Sequence, residues 1–137
     1  EGESELFFYH DSSPINTLNR EVAGYQKAKV KNIKKIQTKT LNNILQNLNL
    51  NNQIDYMNID VEGHEEKILS GFDLQKYKPR VISIEYLDLK MKKLEFKNND
   101  INNLLNSNLY KFFINNNYHF INWLHGDLIF INKDFRD

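Results

Sequence analysis

The sequence predicts an α/β domain built on a doubly wound, mostly parallel sheet. Three observations carry that expectation. Two runs rich in strand-forming residues, Ile54 to Ile59 and Arg80 to Tyr86, flank a segment of helical character. Acidic residues gather where both runs end, Asp60 and Glu62 after the first and Glu85 near the close of the second. The chain finishes on Tyr118 to Leu124 and Leu128 to Asn132, joined by His125-Gly126-Asp127, the pattern of an antiparallel hairpin at the edge of such a sheet.

Each element has a local reason. Leu6 to Tyr9 is a short apolar run of β-forming residues, closed by the turn cluster His10-Asp11-Ser12-Ser13-Pro14. From Ile15 to Gly24 the pattern is weak. The basic stretch that follows alternates loosely through Val30, Asn32, Lys34, Ile36 and Thr38, as an edge or solvated strand does. Thr40 reads as an N-cap, because Leu41, Ile44, Leu45 and Leu48 then form one apolar stripe of a short helix, ended by Asn49 to Gln53.

In the run Ile54 to Ile59, Met57 and Ile59 share one face and Ile54 and Tyr56 the other, so burial on both faces is expected. A helix should begin at about Glu62, turn Ile68 and Leu69 inward, and stop where Gly71 takes the left-handed conformation with Phe72 packing back. Pro79 resets the backbone before the second strand, and the two strands with their helix make a right-handed, parallel βαβ unit. Asn99 or Asp100 caps one longer helix with the stripe Ile101, Leu104, Leu105, Phe112 and Phe113, closed by Asn115-Asn116-Asn117.

At 137 residues the chain has the size of one domain. A hydrophobic share of 40% and an aromatic share of 12% exclude a disordered chain. Eighteen basic residues balance eighteen acidic ones, which leaves no global field to attract nucleic acid or an anionic membrane. No apolar run approaches the roughly 18 residues of a membrane span, and the acidic start is unlike a signal peptide. The lack of cysteine removes disulfides, thiolate zinc sites and cysteine nucleophiles, and fits the cytoplasm.

In open α/β sheets ligands bind beyond the carboxyl ends of the strands. Asp60, Glu62, His64 and Glu65 cluster at one such end and Glu85 with Tyr86 at the next. Plain structural roles compete with chemistry at each. Asp60 can be an N-cap, Glu65 and Glu66 can answer the helix dipole, Gly63 can serve a tight turn, and His64 can be an ordinary exposed histidine. Glu85 is the strongest physical candidate, because a carboxylate at the end of a buried strand needs a partner. Asp60, Glu62 and His64 also offer ligands for a divalent ion, the weakest option, since a fourth ligand is not evident. His64-Glu65-Glu66-Lys67-Ile68 starts like a zinc-protease helix but lacks its second His. There is no glycine-rich phosphate loop and no nucleophile elbow, and His10, His119 and His125 are scattered.

The run Ile54-Asp55-Tyr56-Met57-Asn58-Ile59-Asp60-Val61-Glu62-Gly63-His64-Glu65, then Ile68-Leu69-x-Gly71, then Pro79 and Val81-Ile82-Ser83-Ile84-Glu85, resembles the fourth-strand region of FkbM-type methyltransferases. Ser12 to Leu18 and Ile36 to Leu41 resemble the family's upstream segments, and the terminal hairpin its last two strands. The resemblance implies the C-terminal portion of a class I, Rossmann-like sheet that uses S-adenosylmethionine to methylate a hydroxyl, often on a sugar or secondary metabolite. It implies that Asp60 faces donor and acceptor, and that Glu62, His64 and Glu85 orient or deprotonate the acceptor. The family's first strand, its glycine-rich cofactor turn and the acid ending its second strand are expected upstream of Glu1, since Gly2, Gly24, Gly63, Gly71 and Gly126 are too dispersed to form that turn. A half-sheet of this kind is expected to pair through its exposed edge, most simply as a homodimer. The rival expectation is a non-catalytic, self-associating α/β module, with a metal-dependent hydrolase third.

Overall fold

The computed structural model describes residues 2–25, 29–48, 54–86 and 100–135. The described strands assemble into two sheets. The first holds β1 (Gly2–Phe8) and β2 (Asn32–Thr38), antiparallel, with Leu6 opposite Lys34 and Phe7 opposite Ile33. β1 reaches back past Leu6 because β2 offers backbone partners to Glu3, Ser4 and Glu5 as well. β2 is the solvated strand that its loose alternation announced. Between them lies α1 (Arg20–Tyr25), in a stretch whose apolar pattern was too weak to show it. Asn19 starts this helix, its Oδ1 accepting from the amides of Glu21 at 2.9 Å and Val22 at 3.3 Å.

Thr40 caps α2 (Leu41–Asn47) as its position demands, with Oγ1 accepting from the Asn43 amide at 3.2 Å. The expected stop at Asn49 to Gln53 lies outside the described residues. The second sheet follows, in the order β3-β4-β6-β5, from β3 (Tyr56–Ile59), β4 (Val81–Glu85), β5 (Tyr118–Leu124) and β6 (Asp127–Asn132). β3 and β4 are parallel, with Ile59 opposite Ile84, whereas β6 runs antiparallel to both β4 and β5. Among the described residues the parallel character is therefore one βαβ pair and not most of the sheet. The hairpin inserts β6 directly beside β4 and leaves β5 outermost.

β3 corrects the expectation of burial on both faces. Tyr56 is 59% exposed and Asn58 is also exposed, because β3 is the end strand of the sheet and only its Met57–Ile59 side meets the core. The helix after it, α3 (Glu65–Ser70), starts three residues later than the sequence suggested. Glu62 at φ 53° and Gly63 at φ 90° cannot belong to a right-handed helix. Gly71 is not left-handed either, at φ −105°. The chain instead makes a further turn of helix, α4 (Leu74–Tyr77), capped by Asp73, and the left-handed residue is Lys78 at φ 40°. Phe72 is buried and stacks forward on Tyr77 of α4, with 5.7 Å between ring centres.

The single long helix expected near the end is two, α5 (Ile101–Asn106) and α6 (Asn108–Asn115). Ser107 breaks it with an extended backbone, and its hydroxyl caps the second helix through the Tyr110 amide at 3.1 Å. The buried stripe becomes Leu104, Leu109 and Phe113, while Ile101 and Leu105 face solvent. Phe113 stacks on Phe130 of β6 at 4.2 Å, and the buried Tyr118 hydroxyl donates to the Pro79 carbonyl at 2.7 Å. These contacts fix β6 and the approach to β4, the strand that carries Glu85. No helix among the described residues is long and apolar enough to cross a membrane.

Candidate active site

Because β3 and β4 run parallel in register, their carboxyl ends lie side by side. Asp60 follows the last residue of β3, and Glu85 is the last residue of β4. Glu62 is brought back toward them by a turn in the left-handed region, a conformation that costs a non-glycine residue roughly 1–2 kcal/mol. Three partners hold that turn. The Thr17 hydroxyl donates to the Glu62 carbonyl at 2.6 Å, Asn19 Nδ2 donates to the Gly63 carbonyl at 2.9 Å, and one Glu65 oxygen accepts from the amides of Val61 at 3.1 Å and Gly63 at 3.2 Å.

The outcome is that Asp60, Glu62 and Glu85 each present an oxygen within 4.8 Å of the other two. His64 is not in this group. It stands at the N-cap position of α3, with Nδ1 buried and unpaired, and burial first and then Lys67 push its imidazole below the usual range. Asp60 is therefore not the helix cap that was its plain alternative. Nor does the trio Asp60, Glu62 and His64, which the metal option needed, come together as such: Glu85 stands where His64 was expected.

Glu85 is the most perturbed of these groups. Burial first, and then the charges of Glu62, Asp60, Glu65 and Asp127, push its carboxyl up to about 8. Its Oε2 is buried with no hydrogen-bond partner, as suits a carboxyl that is largely neutral at pH near 7. Glu62 is raised as well, by burial and then by Asp60 and Glu65. Glu65, only 5% exposed, is raised by burial although the turn amides pull it the other way. Glu65 and Glu66 do stand in the first turn of α3, where the dipole reading put them, and Glu65 in addition braces the turn before it. Tyr86 and Trp123 meet edge to face at 5.5 Å beside the core.

A cleft of about 270 Å³ opens on the outer side of β3, lined by Lys39, Leu41, Ile44, Met57, Ile59 and Asp60 among others. Its wall is mostly apolar, with Lys39 and Asp60 as the charged residues.

Residues 1–112 match the family model of the methyltransferase FkbM domain. The chain belongs to the FkbM methyltransferase family. The matched span contains Asp60, Glu62, His64 and Glu85, together with the whole βαβ unit, and stops before β5. No curated protein and no solved structure matches the chain. Membership in the FkbM family fits a mixed α/β domain whose acids gather beyond two parallel strand ends. Two positions that hold this site, Thr17 and Asn19, escaped the sequence reading, because their partners are 45 and 44 residues away and no local pattern marks such a contact.

Proposed function

We propose that this chain forms the acceptor side of an S-adenosylmethionine-dependent O-methyltransferase site. The observation that supports it is the convergence of Asp60, Glu62 and Glu85 at the ends of β3 and β4 in a chain of the FkbM family. In this reading the sheet is the C-terminal portion of a class I, Rossmann-like domain of a cytoplasmic protein.

The residues fit part of the methyl donor. Clustered carboxylates suit its positive sulfonium, and Asp60 lines the cleft beside them. A glycine-rich cradle for the rest of the donor is not found among the described residues, and the cleft is smaller than the ~300–1,000 Å³ of a typical ligand pocket. When bound, S-adenosylmethionine supplies an electrophilic methyl group on positive sulfur. Asp60 would hold that charge, and Glu62 and His64 would orient the acceptor hydroxyl. Glu85 would take the hydroxyl proton, since a base with an affinity near the working pH is matched to that task. The acceptor class is a hydroxyl of a sugar or similar small metabolite.

Titration calorimetry with S-adenosylmethionine tests the reading. Binding that Asp60→Asn weakens supports it. No heat with this chain, nor with one extended upstream of Glu1, sinks it. The rate of methyl transfer should rise with pH through about 8, and Glu85→Gln should lower it by roughly 10²–10⁴-fold. We extend the proposal to self-association through the outer edge of β3, which ends the sheet among the described residues. A monomer by light scattering at all concentrations removes that extension.

A further inference from the structure

The turn that carries Glu62 is gripped from the segment between β1 and α1. Thr17 is 1% exposed and is fixed to β1 by two backbone bonds, Phe7 amide to Thr17 carbonyl at 2.8 Å and Thr17 amide to Phe7 carbonyl at 3.3 Å. Its Oγ1 accepts from the Asn19 amide at 2.9 Å while donating to the Glu62 carbonyl, so one hydroxyl joins both ends of the contact. Asn19 spends its oxygen on starting α1 and its Nδ2 on the Gly63 carbonyl. α1 lies so close that a Cβ on Gly63 would fall 2.6 Å from Val22 Cγ2 and 3.0 Å from Asn19 Nδ2. Hydrogen bonds, close packing and a left-handed backbone therefore coincide at two consecutive residues, one of which bears a carboxylate of the cluster.

We infer that Thr17 and Asn19 are positioning residues, which lock the Glu62–Gly63 turn in the left-handed region and thereby aim the Glu62 carboxylate at Asp60 and Glu85. Without the grip, Glu62 relaxes toward an ordinary right-handed or extended backbone and its side chain swings away from the other two acids. The catalytic meaning rests on the methyltransferase reading above, whereas the positional claim does not. The groups that face Glu85 are Glu62, Asp60 and Glu65 from the turn and Asp127 from β6, and Tyr9 stands near Glu62. Loss of Glu62 from that set removes the like charge that ranks second, after burial, in raising Glu85.

The test compares Thr17→Val, which keeps the shape and loses the hydroxyl, with Thr17→Ser, which keeps the hydroxyl. Two readouts by nuclear magnetic resonance apply: the amide-to-Hα coupling and carbon shifts of Glu62, which report a positive φ, and the titration of the Glu85 carboxyl carbon. In Thr17→Val the Glu62 signature should leave the left-handed range, and the Glu85 midpoint should drop by at least about half a unit. Thr17→Ser should keep both near those of the parent chain. Unchanged readouts in a folded Thr17→Val overturn the inference. If Thr17→Val does not fold, Asn19→Asp decides, since it retains the oxygen that starts α1 and loses the donor to Gly63; an unchanged Glu62 signature there overturns it equally. In an active preparation kcat should fall in Thr17→Val with KM held and be restored in Thr17→Ser. Shifted readouts without methyl transfer by this chain or by one extended upstream of Glu1 would sink the proposed function and leave the positioning role standing.

Discussion

β3 and β4 are adjacent parallel strands that each end in acid, yet the acids meet different surroundings. β4 is flanked by β3 and β6, and Ile82 and Ile84 are wholly buried. Glu85 therefore leaves a dry strand, with Oε2 unpaired and its carboxyl pushed up to about 8. Among the described residues β3 ends the sheet, Tyr56 is open to solvent, and Asp60 is exposed. The residue type is nearly the same at the two ends. What differs is how far the neighbouring strands displace water, and it is the drier end, at Glu85, whose carboxyl is raised.

The largest expected effect tests whether β4 is the structural centre. Ile82→Ala should cost about 2–5 kcal/mol in denaturant unfolding, because the fully enclosed site cannot collapse around the lost atoms. A loss under about 1 kcal/mol would mean that β4 is less enclosed than its contacts indicate. Gly63→Ala comes next and probes the turn between the strands. The added Cβ meets Val22 and the backbone is at φ +90°, so a loss of roughly 1–3 kcal/mol is expected.

The third prediction concerns pH. Glu85 in the folded chain binds its proton more tightly than its ordinary value of 4.5 would allow, so the folded state carries more protons than the unfolded one between that value and about 8. The stabilisation is complete below 4.5 and is lost as the pH rises through about 8. The melting temperature should therefore fall from about pH 5 to about pH 9, and Glu85→Gln should flatten that part of the profile. A wild-type profile with the opposite slope, unaltered by Glu85→Gln, would remove the contrast between the two strand ends. The smallest effect belongs to β3. Tyr56→Ala should change stability by no more than about 0.5 kcal/mol in the isolated chain. A larger loss that depends on protein concentration would show that the β3 edge is covered in solution.

Much of this was legible before any fold was known. Thr40 and Asp100 are caps because short oxygen side chains precede apolar periodicity, and both accept from the amides that the rule names. The hairpin around His125-Gly126-Asp127 follows from two alternating runs and a turn. α1 and α4 were missed, since six and four residues hold too little pattern to read. Ser107 was passed over because the apolar spacing runs smoothly across it, while its hydroxyl serves the next helix instead.

By itself the sequence determined the strands of the βαβ unit, the terminal hairpin, the caps at Thr40 and Asp100, the family signature and the acids that stand at the strand ends, Asp60, Glu62 and Glu85. Those properties depend on residues near one another in the chain. Only the tertiary structure decided that Glu62 joins the cluster and His64 does not, that Glu65 braces the turn, and that Thr17 and Asn19 hold it from the segment between β1 and α1. It also decided which strand end is dry. Burial and long-range hydrogen bonds are properties of the assembled sheet order, which no window of sequence contains.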